Sequence, residues 1–292
     1  MDGINTLVLS GAGADIIYEF SLCLELLKYV KPKKVIGTSA GAILSLAIAI
    51  GWDFKDLLEE FKQKLIGKRI YKGSLFISFF SFLKNKYFFE NDLRYDIIDI
   101  ILSKTNKDIT FKELDFDISV VSVDYDTGNT ILFNKIDTPD IKCKDAVLAS
   151  SCIPGIFKPI YIEKNKINNI YYINNGTTKN IIQLVDGGFT SLYPINFIKP
   201  HEIKNTIGIY IVKEITSSKK NIFALLYQIL KLNIYITGSD YILSTNWMNR
   251  TLFYKTSKSL SLLTTITEQI ISEAVDTCKP IVNNFINNFN QS

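Results

Sequence analysis

Apolar residues along the first fifty positions follow two rhythms. Thr6 to Ser10 (TLVLS) is a short uninterrupted apolar run that predicts a buried strand, and Ile16 to Val30 repeats its apolar residues at helical spacing. Lys33 to Ser39 (KKVIGTS) predicts a second strand. Ala40 to Gly51 (AGAILSLAIAIG) predicts a nearly all-apolar helix that stops at a glycine, the pattern of a helix buried against a sheet. Strand, helix, strand, helix in this order marks a parallel α/β sheet. From Asp53 to about Lys107 the pattern turns amphipathic, opens on an aspartate suited to cap a helix, and reads as a helical insertion or cover. Phe116 to Lys135 alternates as two strands around Asp126-Thr127-Gly128-Asn129, a hairpin signature. A helix follows from Ile141, then short strands and polar turns between Asn165 and Gly188; the tail from Asn221 to Ser292 reads as mainly helical. Without solenoid repeats or a Pro-rich or Ser/Gly-rich linker, one domain over 1–292 is expected, with a core at about 6–215 and a helical extension at about 221–292.

Composition narrows the chemistry. A hydrophobic fraction of 47% and a charged fraction of 21% over 292 residues describe a globular chain able to bury a sizeable core. The net charge of +4 (33 Lys and Arg against 29 Asp and Glu) is too mild for a nucleic-acid partner. A single histidine, His201, excludes multi-histidine metal sites. The 4 cysteines (Cys23, Cys143, Cys152, Cys278) form no CxxC pair and read as reduced, buried thiols. The N-terminus has no basic segment leading into a long apolar run, and the longest apolar stretches are about half of the ~20 residues that cross a bilayer. The expectation is therefore a cytoplasmic or otherwise intracellular protein. The aromatic-rich Ser74 to Leu83 (SLFISFFSFL) reads first as a buried element and second as a surface that meets lipid.

Three glycine clusters sit at predicted strand ends. Gly37-Thr38-Ser39-Ala40-Gly41 is a GxSxG between a strand and a helix, where a sharp turn exposes a serine nucleophile and flanking glycines remove clashing side chains. The helix starting at Ala40 aims its free N–H groups at a developing oxyanion. Gly11-Ala12-Gly13 follows the first strand. It lacks the third glycine of a dinucleotide fingerprint and the Gly-Lys-Ser/Thr of a P-loop, and fits an oxyanion loop beside Ser39. Asp186-Gly187-Gly188 follows the apolar run IIQLV. Alone it is an Asp-Gly turn; with Ser39 it supplies a candidate base.

These motifs, in this order, resemble the patatin-like phospholipases, lipid acyl hydrolases with a serine–aspartate dyad. Ala149-Ser150-Ser151-Cys152-Ile153-Pro154-Gly155-Ile156-Phe157 and the strand pair before it are also similar to the family pattern, so the resemblance spans about Thr6 to Pro194. It implies a three-layer α/β/α fold with a mostly parallel central sheet. It also implies Ser39 as nucleophile, Asp186 as general base, an oxyanion hole from Gly11, Ala12, Gly13 and Ala40, and Gly37 and Gly41 as elbow glycines. No metal or organic cofactor is called for, and the implied substrate is a glycerolipid or phospholipid met at a membrane surface. The chain departs from the pattern at Ala12, Asp15 and Ile16, and after Asp186-Gly187-Gly188, where Phe189 to Pro194 lacks the asparagine that often precedes the proline. A carboxylate at Asp15 opposes an oxyanion unless it points away. A catalytically weak or inactive lipid-surface binding protein of the same fold is therefore the alternative reading. A third, an α/β-hydrolase triad of Ser39, Asp186 and His201, conflicts with the short run of chain before the elbow and with the polar, turn-like setting of His201. A free aspartate, pKa about 3.9, is a weak base, so a dyad needs that carboxylate buried.

Overall fold

The structure, a computed structural model, describes residues 1, 3–69, 87–88, 92–167, 180–213, 247–256, 260 and 264–291. The chain opens as expected. Strand β1 (Thr6–Leu9) leads into helix α1 (Ile16–Leu26), and β2 (Lys34–Thr38) into α2 (Ala40–Ile50). Gly51 stops α2 in the left-handed conformation at φ 81°, which costs a glycine little. Helix α3 (Phe54–Leu65) is capped by Asp53, whose carboxylate accepts from the Lys55 and Asp56 N–H groups. Helix α4 (Leu93–Ile101) follows, and the hairpin is β3 (Asp117–Asp124) with β4 (Thr130–Phe133). Next come α5 (Cys143–Ser150), β5 (Ile160–Glu163), β6 (Ile181–Asp186), the one-turn α6 (Gly188–Ser191), β7 (Thr206–Lys213), β8 (Thr251–Thr256) and α7 (Glu268–Gln291).

The eight strands form one mixed sheet in the order β5-β6-β3-β2-β1-β7-β8, with β4 also on β3. The β1–β2, β1–β7, β2–β3 and β7–β8 pairings are parallel, and those of β3–β4, β3–β6 and β5–β6 antiparallel. Alternation along the central strands sends Leu7, Leu9, Val35 and Val120 to a large core under the helices. Val8, Ile36 and Val121 point to a second core with Tyr193, Tyr210 and Trp247. Both faces are thus covered, which is why these strands read as continuous apolar runs. Helix α7 lies along α1, where Tyr29 Oη donates to Asn283 Oδ1 at 3.3 Å.

One expectation changes. The tail is not simply helical, because Thr251–Thr256 joins the sheet as an edge strand parallel to β7. The aromatic-rich Ser74 to Leu83, read as buried or lipid-facing, lies outside the described residues, as do all of residues 214–246. Among the described residues no helix is long and apolar enough to cross a membrane.

Candidate active site

Sheet register brings the site together. Strand β2 occupies one edge of β3 and ends with Thr38 opposite Val121. At the next residue of β3 the same edge passes to β6, which runs the other way and places Asp186 opposite Ser122. Two strands thus meet end to end on β3, and the residue after one faces the last residue of the other. Ser39 Oγ donates to Asp186 Oδ2 at 2.7 Å. Both groups are buried, with 6% and 3% of their surfaces exposed.

Local backbone holds each partner. Ser39 has φ 55° and ψ −118°, the only positive φ of a non-glycine among the described residues. Such a conformation costs on the order of 1–3 kcal/mol and presents the hydroxyl at the tip of the turn. The elbow glycines are required by close approach: a Cβ at Gly37 would collide with the Gly41 carbonyl, and one at Gly41 with the Ser10 and Leu9 carbonyls. A Cβ at Gly187 would strike the Val121 carbonyl, which explains the Asp-Gly-Gly turn. The second carboxylate oxygen, Asp186 Oδ1, accepts from Gly188 N–H at 2.8 Å, so the side chain is held from both ends.

The turn after α5 bridges the two halves. Ser150 Oγ accepts from Ser39 N–H at 2.9 Å, Ser150 O accepts from Gly187 N–H at 3.1 Å, and Cys152 O accepts from Asp186 N–H at 2.8 Å. Arg94, on α4, secures this turn from behind. Its Nη1 donates to Ser151 O at 2.5 Å, its Nε and Nη2 grip Asp92 at 2.8 Å each, and its guanidinium lies 3.6 Å over the Phe157 ring. Burial works against the charge of Arg94, but the hydrogen bonds and charge of Asp92 outweigh it and raise its pKa. Burial pushes the Cys152 thiol up to about 12, so this cysteine stays a neutral thiol beside the site. The Ser150 contact and the Asp92–Arg94 pair carry no local sequence signal; only the Ala149 to Phe157 block hinted at them.

The glycine loop lies against the elbow, where a Cβ on Gly11 would stand 3.3 Å from Ser39 Cβ. Gly11 itself departs from the expected oxyanion role, because its N–H donates to Leu192 O at 2.8 Å. Among the described residues the N–H groups of Ala12, Gly13 and Ala40 make no such bond. Gly13 sits at φ 56° and turns the chain toward α1. Asp15 is buried, and its Oδ1 accepts from Leu260 N–H at 2.7 Å, so this oxygen is committed to the segment after β8.

His201 is exposed and sits in the turn before β7. Its neighbour Glu202 pairs with Lys34 Nζ at 3.0 Å, at the start of β2. Ser39 lies five residues further along, about 16 Å at the rise of a strand. The triad reading therefore puts its base at the wrong end of the sheet. His201→Ala is expected to leave ester hydrolysis within about twofold of the parent protein; a loss of tenfold or more in kcat/KM would restore the imidazole to the mechanism.

The fold and site together define an α/β protein with a serine on a strained strand-to-helix elbow against a buried aspartate. A family model described as patatin-like phospholipase matches residues 7–197, and the chain belongs to that family. It is 26% identical over 180 residues to a cGAMP-activated phospholipase of Vibrio cholerae, covering 54% of this chain and 50% of that protein. It is 27% identical over 214 residues to the uncharacterized protein R571 of Acanthamoeba polyphaga mimivirus, covering 70% of this chain and 65% of that one. The chain thus spans between half and two thirds of the length of these two relatives. The crystal structure of VipD from Legionella pneumophila shares the fold, with a TM-score of 0.55 at 13% identity over 98% of this chain and 67% of that one.

Proposed function

We propose that the chain is a lipid acyl hydrolase of the phospholipase A or lysophospholipase type, cleaving carboxylic esters of glycerolipids at a membrane surface. The observation that carries this reading is the 2.7 Å hydrogen bond from Ser39 Oγ to the buried Asp186 carboxylate. Asp186 accepts the hydroxyl proton as Ser39 Oγ attacks the ester carbonyl. The oxyanion is received by N–H groups of Ala12, Gly13 and Ala40, the last at the positive end of α2. Collapse of the tetrahedral adduct expels the alcohol, which takes the proton from Asp186. Water, deprotonated by the same carboxylate, then frees the fatty acid from Ser39. The family, and the phospholipase named among the relatives, support the lipid substrate. The inactive binding-protein reading drew on Asp15, and the bond from Leu260 N–H to one of its oxygens weakens that motive.

The test pairs a fluorophosphonate serine probe with fatty-acid release from mixed phospholipid vesicles. The expected result is covalent labelling at Ser39 and release of fatty acid in step with protein concentration. Folded protein that neither labels nor releases fatty acid would return the chain to the role of a lipid-surface binder.

A further inference from the structure

The Ala12 and Gly13 N–H groups, assigned to the oxyanion, sit in a stretch of chain with little stiffness of its own. Gly11 and Gly13 lack a Cβ, and Gly13 at φ 56° occupies a conformation that glycine enters and leaves at little cost. Oxyanion donors work by being fixed before the charge develops. Stiffness here must therefore come from outside the loop.

Upstream, the sheet and the elbow supply it. Ser10 N–H donates to Ile209 O at 3.2 Å, Ser10 O accepts from Gly41 N–H at 3.1 Å, and Gly11 N–H donates to Leu192 O at 2.8 Å. Downstream, the 3₁₀ turn Gly13–Asp15 joins the loop to α1, with Asp15 N–H donating to Ala12 O at 3.1 Å and Ile16 N–H to Gly13 O. Asp15 then ties this turn to a distant part of the chain. It is fully buried, and its Oδ1 accepts from Leu260 N–H, 245 positions away, at 2.7 Å. Two further contacts seat the same region: the Tyr18 ring stacks on Tyr254 of β8 with centroids 5.1 Å apart, and Cys278 Sγ of α7 donates to Tyr18 O at 3.6 Å. Tyr254, Leu260 and Cys278 all lie beyond the residues, 7–197, that match the family.

Resting on the hydrolase reading, we propose that Asp15 is a positioning residue: through Leu260 it fixes the directions of the Ala12 and Gly13 N–H groups, so the segment after β8 sets the quality of the oxyanion hole. Leu260 N–H is a neutral donor, and the role of Asp15 is that of an acceptor, which an amide oxygen can fill. Removing one oxyanion donor outright costs about 10²–10³-fold in kcat, so loosening two of them should cost about 10–100-fold.

The measurements are kcat and KM for p-nitrophenyl butanoate, together with amide hydrogen exchange over residues 10–18. Asp15→Ala removes the acceptor and Leu260→Pro the donor; each is expected to lower kcat about 10–100-fold with KM within about twofold, and to speed exchange in the loop. Asp15→Asn keeps an acceptor oxygen and should recover kcat to within about threefold of the parent. The double variant Asp15→Ala, Leu260→Pro should lose no more than the worse single one, because both break the same bond. Losses that multiply, a loss carried by KM, an Asp15→Asn protein as impaired as Asp15→Ala, or a folded Asp15→Ala protein within twofold of the parent would each overturn the proposal. Should Asp15→Ala fail to fold, Leu260→Pro, outside the matched residues, is read by the same criteria. If the parent hydrolyses no ester, exchange decides: a loop loosened in Asp15→Ala but not in Asp15→Asn upholds the anchor while the hydrolase reading fails, and an unchanged loop overturns the anchor as well.

Discussion

Ser39→Ala is expected to lower fatty-acid release from phospholipid vesicles by about four to six orders of magnitude, because it removes the hydroxyl that donates to Asp186 and is proposed to attack the ester. Asp186→Asn keeps the size of the side chain and removes the proposed base, with an expected loss of about 10⁴-fold. Circular dichroism should show both proteins folded. Asp186→Asn within tenfold of the parent would exclude the carboxylate as base. The same position also offers a stability readout. Alanine at φ 55° retains the backbone strain of the elbow, whereas Ser39→Gly releases it, so the glycine variant should unfold at higher temperature than the alanine variant.

Arg94→Met should be the most damaging change outside the dyad. It leaves the Asp92 carboxylate, 1% exposed, without its bidentate partner and strips the donor from Ser151 O. Breaking a buried pair from one side costs about 3–5 kcal/mol. In a chain of this size that is a drop in Tm on the order of 10 °C. Activity should fall as well, since the released turn carries Ser150 and Cys152, which hold the Ser39 and Asp186 backbones. The double variant Asp92→Asn, Arg94→Met removes both charges and should regain part of the lost stability. If it melts no higher than Arg94→Met alone, the damage lies in packing against Phe157 and not in the unpaired charge.

The elements legible in the sequence are those whose signals are local. The strands and helices of the first fifty residues announce themselves by periodicity and by glycines at their ends. Asp53 announces its helix by capping chemistry. Strand β8 escapes because TLFYKT becomes a strand only by lying beside β7, which supplies its pairing partners. The site divides in the same way. Ser39 is readable from the glycines that its own turn demands. Asp186 looks like any Asp-Gly turn until β6 takes over the edge of β3. Which loop amide remains open for an oxyanion depends on Leu192, some 180 residues from Gly11, so the motif alone marks Gly11 as readily as Ala12 or Gly13. Arg94 acts across 57 positions on Ser151, and no local pattern encodes that reach.

The end-to-end meeting of β2 and β6 on β3 also sets a clock. Ser39 and its carboxylate partner are separated by 147 positions. At a synthesis rate of about 5–20 residues per second, a nascent chain carries its elbow for about 7–30 s before the aspartate is made. During that interval β3 can already pair with β2, while the adjoining stretch of its edge stays vacant. No half-made chain holds Ser39 and Asp186 together, so their hydrogen bond forms only after β6 has left the ribosome and docked.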